Sequence, residues 1–150
     1  MPNAAIMLII LACLGFKKPP MKQFDHIKSH LTQLNFDISN EKPSEGILVV
    51  NKESEGIKNL VIGVIDPILI MEQFIFNMPN DDTSTFKQLL MKNRDIIHGA
   101  FVLDESGSRV IFRDTLQLEN LDMNELEASI NSLSLLLSEY TDQIINFSKK

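Results

Sequence analysis

Two histidines four residues apart, His26 and His30, are the pair in this chain best spaced to share a metal ion. Positions i and i+4 lie on one face of a helix, and imidazole is a common zinc ligand. Ile27, Lys28 and Ser29 stand between them, so no glutamate follows the first histidine and the zinc-protease pattern is absent. A third ligand would have to come from a distant part of the chain. His98, just before Gly99 at a strand entry, reads as structural. The expectation is no metal and no cofactor. A small metal-binding protein or enzyme using His26 and His30 is the alternative.

Other chemistry is sparser. The sequence has no G-x-x-x-x-G-K-[ST] or G-x-G-x-x-G phosphate loop and no G-x-S-x-G nucleophile elbow. Cys13 is the single cysteine, which rules out an internal disulfide framework and any multi-cysteine metal site. The acidic pairs Asp81-Asp82 and Asp104-Glu105 fall in predicted loops, where solvated charge is the default. Arg109 and Arg113 share one strand face, with Ile111 between them. They could meet an acidic partner or simply flank a solvated face. The formal net charge is −6, and no basic stripe exists to release phosphate counterions, which argues against nucleic acid. No catalytic residue is assigned.

The elements that would position these groups follow from periodicity. Phe24, Ile27, Leu31 and Leu34 recur at helical spacing over Met21 to Asn35. The cluster Asn40 to Gly46 reads as a loop. Three strands are expected over Ile47–Lys52, Ile57–Ile65 and Ile68–Asn77, with Gly56 supplying a positive φ at the first hairpin. The third is apolar on both faces: Ile70, Phe74 and Phe76 on one, Leu69, Met71 and Ile75 on the other. A second helix, capped by Asp82, Thr83 or Ser84, should end near Asn93 or Arg94. A hairpin follows through Phe101 and Val110, with a bulged turn at Asp104 to Gly107. Asp122 and Glu125 open the last helix, whose stripe from Met123 to Phe147 steps by alternating threes and fours. A helix lying along a sheet is preferred to a coiled coil, because Leu135 and Leu136 widen the stripe. The order α-β-β-β-α-β-β-α predicts an α+β fold with a mostly antiparallel sheet and helices on one face.

Residues 1–20 stand apart. Ala4 to Phe16 (AAIMLIILACLGF) is almost wholly apolar but too short to span a bilayer as a helix. It could be a signal h-region, although no Lys or Arg precedes it. It could also be a lipoprotein signal ending at Cys13, although Leu11 is bulky for that place. The preferred reading takes Met21 as the natural start, with Pro19-Pro20 marking the boundary of a single domain over residues 21–150. That reading makes the protein cytoplasmic; either signal reading makes it exported or lipid-anchored.

From Leu89-Leu90-Met91-Lys92-Asn93, through Gly99 to Asp104, Gly107 and Val110 to Arg113, to Leu116–Leu121 before the long helix, the chain resembles the YbjN and Tir-chaperone-like group. This is the fold of class I type III secretion chaperones. The resemblance covers roughly Met21 to Lys150 and is closest from Phe86 onward. It implies a small, non-catalytic homodimer that binds a protein client through apolar grooves and strand addition, or a YbjN-like regulatory domain. The partner would then be a protein client or regulatory partner. The two-sided apolar third strand points the same way, since a symmetric pair would bury a surplus face. The candidate partner-binding residues are Met71, Phe74 and Phe76 on that strand, and Phe112, Arg109 and Arg113 on the last.

Overall fold

The computed structural model describes residues 21–78 and 80–149. Its elements are α1 (Met21–Gln33), β1 (Asp37–Lys42), β2 (Ile47–Lys52), β3 (Ile57–Ile65), β4 (Ile68–Asn77), α2 (Thr83–Asn93), β5 (Ala100–Leu103), β6 (Arg109–Gln117) and α3 (Met123–Ser148). The strands form one sheet in the order β1-β2-β3-β4-β6-β5, antiparallel at every pairing. The α+β class is as expected, with one strand more than the pattern indicates. That strand is β1, which pairs with β2 from Asp37↔Asn51 to Lys42↔Ile47. Within it only Ile38 is even half-buried. Backbone hydrogen bonds hold this edge strand in place; Phe36 and Ile38 alternate with polar Asp37 and Ser39 only at its start, and its end, Asn40 to Lys42, falls in the segment that reads as a loop in the sequence.

The helices form where their caps and apolar stripes place them. The Asp82 carboxylate accepts from the Ser84 backbone N–H at 3.1 Å and from the Thr85 hydroxyl at 2.6 Å, starting α2. Asp122 does the same for α3, accepting from the Glu125 N–H at 2.8 Å. Phe24, Ile27 and Leu31 of α1, Leu89 of α2, and Leu126, Ile130, Leu133, Leu136 and Phe147 of α3 all enter one core. Leu48, Val50, Leu60, Ile62, Leu69, Met71, Val110 and Phe112 meet them from the sheet. Helix α3 lies against β4 and β6, as a stripe widened by buried Leu136 requires.

Strand alternation leaves a second apolar cluster on the opposite face. It consists of Ile47, Val61, Ile65 and Ile70, with Val49 and Ile68 half-buried beside them. Strand β4 does not keep one alternation throughout. Its register with β6 shifts between Phe74↔Ile111 and Phe76↔Val110. The extra residue turns Phe76 onto the helix side with Leu69 and Met71, and leaves Phe74 on the other face. This corrects the expectation that Ile70, Phe74 and Phe76 share a face. The β5–β6 hairpin also differs from expectation, because its register runs without a bulge. Gly107 does have the expected positive φ, 70°.

Candidate partner-binding surface

Of the residues expected to meet a partner, three are inside the protein. Met71, Phe76 and Phe112 are 1%, 4% and 0% exposed and belong to the helix-side core. Their packing within the chain leaves them no surface to offer, which corrects the expectation that they are contact residues. Phe74 is on the opposite face and 40% exposed, beside Ile111 in the register with β6. Arg109 and Arg113 are half-buried on that same face.

Arg113 is already engaged. Its guanidinium pairs with the Glu72 carboxylate, directly opposite it in the β4–β6 register. Glu72 is buried, and burial pushes its carboxyl above the usual glutamate value while the Arg113 charge and hydrogen bond pull it back. A buried carboxylate needs such a partner, so Arg113 is the counter-ion of Glu72 rather than a free cation. Arg109 stands at the start of β6, where its backbone N–H donates to Asp104 Oδ1 at 3.2 Å. The sequence could have suggested the Glu72–Arg113 pair only if the register were known.

Exposed apolar side chains gather elsewhere, around the segment that joins α2 to β5. Phe86, Leu89 and Leu90 of α2 face Phe101, Leu103 and Val110 across a recess of about 360 Å³. Leu90 is 72% exposed and Leu103 43%. A second recess, about 330 Å³, lies between residues 95–98 and α3 and includes Ile97, Leu135 and Tyr140. Exposed apolar side chains grouped in recesses mark interaction surfaces better than scattered ones do.

The first recess adjoins β5, an edge of the sheet. Edge strands leave backbone groups open to a further strand. At Phe101 those groups are already taken: the Asn93 side chain accepts from the Phe101 N–H at 2.7 Å and donates to its carbonyl at 3.0 Å. One side-chain amide thus stands in for a neighbouring strand. The other edge, β1, is guarded by Asp37, Glu41 and Lys42 and by a register shift between Ile38 and Asn40. Nothing in the sequence distinguishes Asn93 from any other polar residue at a helix end.

The histidine pair is in contact, with ring centroids 4.1 Å apart. Burial lowers the His30 pKa, the neighbouring His26 lowers it further, and Asp122 opposes both. Among the described residues no third ligand joins the pair: no group of three or more His, Cys, Asp or Glu is placed to hold a metal ion. His98 is a tie between layers, its N–H and carbonyl both bonded to the Ser132 hydroxyl of α3, at 3.3 and 2.9 Å. Cys13 and the apolar N-terminal stretch lie outside the described residues. Among the described residues no helix is long and apolar enough to cross a membrane.

The sequence matches the family described as CesT_Tir_1 over residues 20–150, and the chain belongs to that family. Among solved structures it is similar to YbjN from E. coli, a proposed transcription regulator. The TM-score is 0.62 at 13% identity, covering 86% of this chain and 96% of that one. It is also similar to a chain of the HopA1–SchA chaperone–effector complex, with a TM-score of 0.56 at 9% identity, covering 88% and 99%. A third is the Yersinia pestis type III secretion chaperone SycH in complex with a fragment of YscM2, with a TM-score of 0.51 at 14% identity, covering 84% and 99%. At these identities the likeness establishes the fold. No curated protein sequence matches the chain.

Proposed function

We propose that this protein is a non-catalytic, chaperone-like binding module that holds an extended, apolar segment of a protein partner at the α2–β5 corner. The observation that carries the reading is the recess there, with Leu90 and Leu103 exposed at its rim beside an edge strand. An extended segment laid along β5 would send alternate side chains into such a recess, and its backbone would find the outward-facing groups of the edge. Two similar structures contain complexes in which a chaperone of this fold is bound to an effector or a partner fragment, which supports a protein rather than a small molecule as ligand.

Asn93 sets the terms of strand addition. A partner strand reaches the Phe101 amide and carbonyl only by displacing the Asn93 side chain, so apolar contacts would form first and backbone pairing second. A reduced, carboxymethylated protein that cannot fold serves as the test client. Full-length protein is expected to bind it, and Leu90→Asp with Leu103→Asp, both at exposed positions, is expected to weaken binding at least tenfold. Asn93→Ala should strengthen binding if strand pairing contributes. Unchanged affinity in the Leu90/Leu103 double variant would refute the α2–β5 site. A homodimer, as expected from the sequence, is part of this reading.

A further inference from the structure

We infer that the recess between α3 and the link from α2 to β5 docks a short basic amphipathic helix of a partner protein, at a site separate from the α2–β5 corner. Ile97 on the link and Leu135 on α3 are 85% and 55% exposed, and they share this recess of about 330 Å³ with Ala128 and Leu136. Asp95 and Glu139 also line it, and no lysine or arginine is among its described lining residues. Burial raises the Tyr140 pKa and the charges of Asp95 and Glu139 raise it further, which puts both carboxylates close to one ring. Neither forms an ion pair among the described residues. The basic groups on the link's side are Lys92, whose ammonium lies over the Tyr140 ring 4.2 Å from its centroid, and exposed Arg94. Helix α3 has the sign of the recess throughout: Met123 to Ser148 contains Glu125, Glu127, Glu139 and Asp142 and no lysine or arginine. The complementary ligand has apolar side chains flanked by cations.

The wall of the recess also decides the ligand's backbone. The His98 N–H donates to the Ser132 hydroxyl oxygen at 3.3 Å, and the His98 carbonyl accepts from that hydroxyl at 2.9 Å. These groups are closed to a partner strand, so a docked segment has to satisfy its own N–H and C=O groups, as an α-helix does. From Ala128 to Glu139 the recess follows α3 for about three turns, roughly 17 Å at 1.5 Å per residue. A helix of that length sets apolar side chains at i, i+3, i+4 and i+7 against Ile97 and Leu135, and its flanking cations beside Asp95 and Glu139.

The probe is a fluorescent model peptide of leucine, alanine and lysine, with its leucines at helical spacing; a twin peptide carries glutamate in place of lysine. Fluorescence anisotropy with the full-length protein at low salt is expected to show saturable binding of the lysine peptide and none of the twin. Ile97→Ser with Leu135→Ser, both at exposed positions, should weaken binding about tenfold or more. Asp95→Asn with Glu139→Gln should weaken it about fivefold. Glu53→Gln with Glu105→Gln removes the same charge from exposed positions elsewhere and should change it by less than about twofold. Leu90→Asp with Leu103→Asp should not weaken it, which keeps this site distinct from the α2–β5 corner. Unchanged affinity after Ile97→Ser and Leu135→Ser would overturn the proposal. So would equal losses from the two charge pairs, which would reduce the binding to general attraction between opposite charges. A dimer in light scattering that Ile97→Ser with Leu135→Ser converts to monomer would overturn it as well, because a second copy would then be the occupant.

Discussion

Gly99 ends the link between α2 and β5 with φ at +79°, and replacing it with alanine should be unusually costly for a single methyl group. Two penalties add. An L-residue in left-handed backbone costs about 1–2 kcal/mol. A Cβ at Gly99 would also collide with the Phe112 ring, with Cε2 at 2.5 Å, and would approach the Arg113 carbonyl oxygen to 3.0 Å. Phe112 cannot retreat, since it is fully buried and sits opposite Phe101 in the β5–β6 register. Overpacking of this kind costs about 1–3 kcal/mol, for a total of about 2–5 kcal/mol. Gly107 is the internal control: its φ is +70°, but a Cβ there would meet nothing within 4 Å. Gly107→Ala should therefore cost only the backbone part, about 1–2 kcal/mol. Urea unfolding followed by far-UV circular dichroism gives both values. Equal losses for the two variants would refute the claim that the Gly99 backbone must pass against the Phe112 ring.

The remaining predictions concern the polar groups. His30 should titrate below the ordinary histidine value of 6.5, so its contribution to stability is present above that value and lost as pH falls through the lowered one. His26→Asn should move the midpoint back up, and an NMR titration showing His30 at or above 6.5 would contradict the burial and repulsion assigned to it. Glu72 is raised by burial above 4.5, so its contribution is full below that value and lost as pH rises through the raised one. Glu72→Gln should flatten this part of the stability profile above pH 4.5 in thermal melts, whereas Arg113→Met should steepen it; no change in either variant would count against the pair. Asn93→Ala removes both bonds to Phe101 and should cost about 1–3 kcal/mol. Hydrogen exchange at the Phe101 amide should quicken, and an unchanged rate would mean that the amide is protected by something else.

Much of this architecture was legible in residue order because the determinants are local. The helix starts follow from Asp82 and Asp122, whose carboxylates bond to amides only two and three residues on. The stripe from Leu126 to Phe147 declares a long helix with one buried side. The positive φ at Gly107 needs only the turn around it. Strand β1 was not legible, since its position depends on backbone pairing with β2 and its side chains are mostly exposed. Nor was the division of β4 between two faces, because one extra residue at the register shift with β6 reverses the alternation. Met71, Phe76 and Phe112 look the same in sequence whether an apolar side chain meets a helix of its own chain or a partner. The clamp of Asn93 on Phe101 and the pairing of Arg113 with Glu72 join residues 8 and 41 positions apart. Sequence order carries local propensity and periodicity, but contacts at such separations exist only after the strands have found their register.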